Sequence, residues 1–121
     1  MKYMFMIYSQ EKTDSLSPEE GERTRNAHWK VMQEAQEKGV LVAVEGLKPT
    51  SAATTVRTVD GKQLTVDGPF AETKEQLAGF YILECQDLDE ALDWARRIPS
   101  NCRGGEGCIE IRPVADLPQR P

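Results

Sequence analysis

An α+β fold is predicted for this chain from three observations. Two strand-like segments are apolar on both faces, two helix patterns separate strands, and a sharp hairpin signal stands between the two halves. At 121 residues the chain has the length of one domain and can bury a core without disulfide or metal staples.

The first strand is expected over 2–8, where Tyr3, Phe5 and Ile7 share one face and Met4, Met6 and Tyr8 share the other. Helices can cover one such face; the second needs another subunit or a pocket of its own. Ser17-Pro18-Glu19-Glu20 opens a helix, with Ser17 as cap, Pro18 at the first helical position and Glu20 placed as in a capping box. It should run to about Lys38 and end at Gly39 as a left-handed C′ residue. Thr24, His28, Val31, Met32 and Ala35 fall on its inward face.

A second strand over 40–47 is stopped by Pro49, and strands over 53–59 and 62–66 flank the turn Asp60-Gly61. The next strand, 77–85, carries Phe80 and Ile82 on one face and Tyr81 and Leu83 on the other. Asp87 caps a helix over about 88–97, with Leu88, Ala91, Leu92, Ala95 and Ile98 inward. A closing strand over 108–112 ends at Pro113. The order is β-α-β, a hairpin, then β-α-β: a ferredoxin-like split βαβ sheet, antiparallel, with an inserted hairpin. One domain over 1–114 and a frayed tail over 115–121 are expected. The sheet face away from the helices is expected to be buried in a homodimer.

The net charge of −5, with no clustered basic surface, argues against nucleic acid as a partner. No stretch reaches the roughly 20 apolar residues of a membrane span, and the N-terminus lacks the features of a signal peptide. Three cysteines cannot all pair within one chain, so a reduced, cytoplasmic protein is expected. The spacing of Cys102 and Cys108 matches neither a CxxC centre nor a zinc site, and no metal or other cofactor is expected. Trp29 and Trp94 fall at the margins of their helices' inward faces, which suits packing at an edge or a dimer contact.

Asp67-Gly68-Pro69-Phe70 leaves the hairpin abruptly. By spacing alone it is a rigid turn, with Asp67 bonding its own backbone. Thr54-Thr55-Val56-Arg57, the run from Thr65 through Asp67-Gly68-Pro69-Phe70 to Ala78-Gly79-Phe80-Tyr81, Glu45-Gly46-Leu47 and Ile109-Glu110-Ile111-Arg112-Pro113-Val114 together resemble the YCII-related, DGPF-type proteins over nearly the whole chain. The resemblance implies a ferredoxin-like fold forming dimers of the dimeric α/β-barrel type. Some YCII-type relatives are lyase-like enzymes that use a His–Asp pair, and many DGPF-type members are encoded beside alternative sigma factors.

His28, the single histidine, stands where the YCII-type pattern also places one. Either it is a buried neutral imidazole satisfied by a backbone carbonyl, or Asp67 orients it for proton transfer. Phe70 then walls the pocket. Glu45 is a second acid/base or binding candidate if buried, and a solvated residue if it lies at the strand's end. Lys74 is either a partner for a substrate carboxylate or a solubilising charge. Two functions follow: a cofactor-independent, lyase-like enzyme for a small molecule, or a non-catalytic ligand-binding or regulatory module, linked in one version to an alternative sigma factor. The first requires His28 and Asp67 within hydrogen-bonding reach beside a cavity; the second does not.

Overall fold

The computed structural model describes residues 1–11, 16–101 and 105–118. Six strands and two helices follow in the order β1 (Lys2–Ser9), α1 (Pro18–Glu37), β2 (Leu41–Gly46), β3 (Thr54–Val59), β4 (Lys62–Asp67), β5 (Gln76–Glu84), α2 (Leu88–Arg97) and β6 (Gly107–Pro113). A four-stranded sheet has the order β2-β5-β1-β6, with every neighbouring pair antiparallel. This is the ferredoxin-like α+β arrangement, and β3 and β4 form a separate two-stranded sheet between its halves.

Local chemistry sets the ends of the elements. The Ser17 side chain accepts a hydrogen bond from the Glu20 backbone N–H at 3.1 Å, and Pro18 occupies the first turn of α1. Gly39 ends that helix at φ +71°. Asp60 and Gly61 both take positive φ, 51° and 76°, as a two-residue hairpin requires. Upstream of β3, the Glu11 carboxylate accepts from the Thr50 backbone N–H at 2.9 Å and its hydroxyl at 2.8 Å. This two-point clamp ties the end of β1 to the segment that enters the hairpin.

The core lies between the sheet and the helices. Tyr3, Phe5 and Ile7 from β1 and Tyr81 and Leu83 from β5 meet Val31 and Ala35 of α1 and Ala91 and Trp94 of α2, all buried. On α2 the buried stripe is Ala91, Trp94 and Ile98, whereas Leu88 is 52% exposed. The expected inward set therefore misplaces Leu88 and puts Trp94 at a margin. The spacing i, i+3, i+7 centres the stripe on the indole, and Leu88 lies on the first turn beyond it. Charged groups cover the indole, with the Arg97 guanidinium 4.3 Å and the Lys38 ammonium 5.4 Å from its ring centroid. Trp29, in contrast, is 67% exposed.

Away from the helices, Met4, Met6, Phe80 and Ile82 share the outer face and are half-buried in the single chain. No helix among the described residues is long and apolar enough to cross a membrane.

Two glycines face each other across β2 and β5, Gly46 opposite Gly79, and they differ in kind. A Cβ at Gly79 would stand 2.7 Å from the Glu45 carbonyl oxygen, so the strands meet there only because the side chain is absent. A Cβ at Gly46 would meet nothing within 4 Å. Gly79→Ala should lower the unfolding free energy by about 2 kcal/mol, while Gly46→Ala should change it by less than about 0.5 kcal/mol. Urea denaturation of both variants checks the contrast, and equal losses would contradict the close approach. Ser17→Ala should cost about 1 kcal/mol in the same assay through loss of the helix cap.

Candidate functional site

Helical spacing turns His28 of α1 toward the sheet, and strand alternation turns Tyr81 of β5 toward the helices. They meet: His28 Nδ1 lies 2.8 Å from the Tyr81 hydroxyl, with ring centroids 6.0 Å apart and planes 19° from parallel. Tyr81 is 1% exposed, so its hydroxyl needs partners within the protein. His28 is half-buried, and desolvation lowers its pKa below the ordinary 6.5. The imidazole is therefore predominantly neutral at pH 7. When the Tyr81 hydroxyl donates to Nδ1, Nε2 carries the proton; when Nδ1–H donates to the hydroxyl oxygen, Nε2 is a free base. Nε2 has no hydrogen bond to any described residue.

Beside this pair opens a cavity of about 390 Å³ between α1 and the β2–β5 edge. Ile7, Met32, Val44 and Ala78 form apolar walls, and Gly46 and Gly79 leave room where side chains would stand. Its volume lies within the range of small-ligand sites, about 300–1,000 Å³.

The residues singled out from sequence fall in different places. Glu45 reaches the rim, but it is exposed at the penultimate position of β2, on the face opposite Val44 and Gly46. It is thus the solvated strand-end residue of the two readings. Asp67 is exposed at the end of β4, opposite Thr54, and makes no hydrogen bond with His28 in the chain. Its motif closes the root of the hairpin: Gly68 takes φ +99°, its N–H donates to the Ala53 carbonyl at 2.7 Å, and the Thr55 hydroxyl donates to the Gly68 carbonyl at 2.8 Å. The Arg57 guanidinium donates to the Phe70 carbonyl at 3.0 Å, while the Phe70 ring is 73% exposed and does not line the cavity. Lys74 pairs with Glu106 at 3.4 Å in a shallow groove apart from the cavity. The chain brings together His28 and the rim at Glu45, and places Asp67, Phe70 and Lys74 elsewhere.

Tyr81 is the site residue that sequence reasoning missed as a partner for His28. Its signal was a phenol on the inward face of a strand apolar on both sides, where a hydroxyl must find a hydrogen bond.

The described thiols are not activated. Burial, and then the nearby Glu90 carboxylate, pushes Cys85 up to about 11. Burial and the adjoining Glu75 carboxylate raise Cys108. Cys102 lies outside the described residues, so its spacing to Cys108 receives no structural account. Among the described residues, no group of three or more His, Cys, Asp or Glu side chains is placed to hold a metal ion.

Residues 1–118 match the YCII-related domain. An uncharacterized protein of Rhizobium meliloti (strain 1021) is 46% identical over 116 residues, spanning 95% of this chain and 93% of that protein. With a match over almost its whole length, this chain belongs to the YCII-related domain family.

Proposed function

We propose that the chain binds a small organic molecule in the cavity beside His28, with the His28–Tyr81 pair addressing the ligand's polar group. The observation that carries this reading is an imidazole held at Nδ1 by Tyr81, with Nε2 free of described partners, on the wall of a largely apolar cavity. A regulatory module that senses a metabolite, linked in one version to an alternative sigma factor, is the biological form this reading takes.

Cofactor-independent, lyase-like proton transfer is the second reading, and it uses the same atoms. Nε2 would be the base, and Tyr81 would hold the place expected of Asp67. The hydrogen bond to Tyr81 favours it by fixing the ring. A carboxylate behind the imidazole would stabilise the imidazolium formed on proton uptake, and within one chain Asp67 does not supply it. Binding is therefore the better-supported function.

The protein is further proposed to be a homodimer that covers the outer sheet face. Support comes from the half-buried Met4, Met6, Phe80 and Ile82 and from the exposed Val59, Leu64 and Val66 on one face of the hairpin. A reducing, cytoplasmic setting fits the free thiols of Cys85 and Cys108.

Thermal-shift screening against a metabolite library tests the binding reading. Ligands that stabilise the wild type should lose most of their effect in His28→Ala and Tyr81→Phe. If both variants keep every response, the site is wrong. Sedimentation equilibrium should give a dimer for the wild type and a monomer for Ile82→Asp; a wild-type monomer would contradict the dimer. The pH dependence follows from the lowered His28 pKa. The folded chain binds fewer protons at His28 than the unfolded one, so stability is complete well above 6.5 and falls as pH drops from there toward the folded-state value. His28→Gln should flatten that part of the stability profile; an unchanged profile would mean that His28 titrates normally.

A further inference from the structure

We infer that the cavity takes an uncharged, largely apolar molecule carrying one hydroxyl or carbonyl group, and that Gly46 sets the upper limit on its size. This rests on the reading of the cavity as a ligand site and narrows it to a chemical class.

The walls of the cavity select against charge. Among the described residues no lysine or arginine lines the cavity, and Glu45, the one acidic residue that does, is exposed near the end of β2 on the face opposite Val44. Arg25, one turn before His28 on α1, lines a separate groove on the other side of His28 with Gly21 and Thr24, and not the cavity. Lys74 is held by Glu106 outside the cavity. An anion entering would lose hydration and gain no cation among the described lining residues in return. A cation would find Ile7, Met32, Val44 and Ala78 around its body, and among the described lining residues no acidic one except Glu45, exposed on the other face of β2. A hydroxyl or carbonyl can instead pair with the His28 imidazole on the wall, whose Nε2 donates in one tautomer and accepts in the other.

The size argument concerns one residue. A glycine inside a strand usually marks a close backbone approach or a positive φ. Gly79 shows the first. Gly46 shows neither: its φ is not positive, and a Cβ there has open space. It shares the inward face of Val44, so the missing side chain leaves volume in the cavity itself.

Three probes with the same bicyclic ring and different charge test both halves: naphthalen-2-ylmethanol, 2-naphthoate and naphthalen-2-ylmethylammonium. Calorimetry gives the affinities, and amide NMR shifts of Val44 and Ala78 report whether the cavity is occupied. The alcohol should bind at least about tenfold more tightly than either ion. Gly46→Leu should weaken the alcohol by about tenfold or more at unchanged melting temperature, with Gly46→Ala intermediate and serving alone if the leucine variant does not fold. An ion that matches or exceeds the alcohol while shifting Val44 and Ala78 overturns the class and leaves the site standing. Alcohol affinity unchanged in both Gly46 variants overturns the size limit. Failure of every probe to shift those amides overturns the ligand-site reading itself, and this inference with it.

Discussion

A phenol buried at the middle of a sheet must find hydrogen-bond partners inside the protein, and the Tyr81 hydroxyl meets His28 Nδ1 at 2.8 Å. Much else is arranged around that contact. It places an imidazole from α1 against β5, across the layer where the core is packed. It fixes one ring nitrogen and leaves the other without a described partner. Next to it, Gly79 lets β2 come close to β5, and Gly46 leaves space on the same face. The cavity is what remains when strand pairing, a polar pair and two absent side chains meet at one sheet edge.

The hairpin and its root serve a different purpose in the single chain. The Asp67–Phe70 segment turns the backbone away from β4 and is held by hydrogen bonds to Ala53, Thr55 and Arg57. It is a structural closure, anchored further back by the Glu11–Thr50 clamp. The segment on which the resemblance most visibly rested is thus a turn. The His28–Tyr81 contact lies one strand away, on α1 and β5.

Much of the fold was legible because its signals are local. The Ser17-Pro18 helix start, Gly39 as terminator and the Asp60-Gly61 turn each reflect backbone preferences of a few neighbouring residues. The apolar faces of β1 and β5 marked them as the central strands, which they are. The errors lie where tertiary contacts decide. Burial of Trp94 depends on Lys38 and Arg97 covering its ring, and the exposure of Leu88 on where α2 lands. For the site, sequence placed His28 on the inward face of α1 but assigned its partner by resemblance. Register along β5 determines that Tyr81, rather than a carboxylate from the hairpin root, stands opposite it. Nothing in residue spacing encodes that meeting across the chain.

His28 is the chain's single histidine, so its imidazole nitrogens are unambiguous in a long-range nitrogen–proton NMR spectrum of the tag-free protein. A pH titration of those nitrogens, repeated with Tyr81→Phe, reads the His28–Tyr81 contact itself. The ring should be neutral at pH 7, with a pKa below 6.5 and a Nδ1 shift that moves on loss of the tyrosine hydroxyl. A pKa at or above 6.5, with Nδ1 indifferent to the substitution, would contradict it.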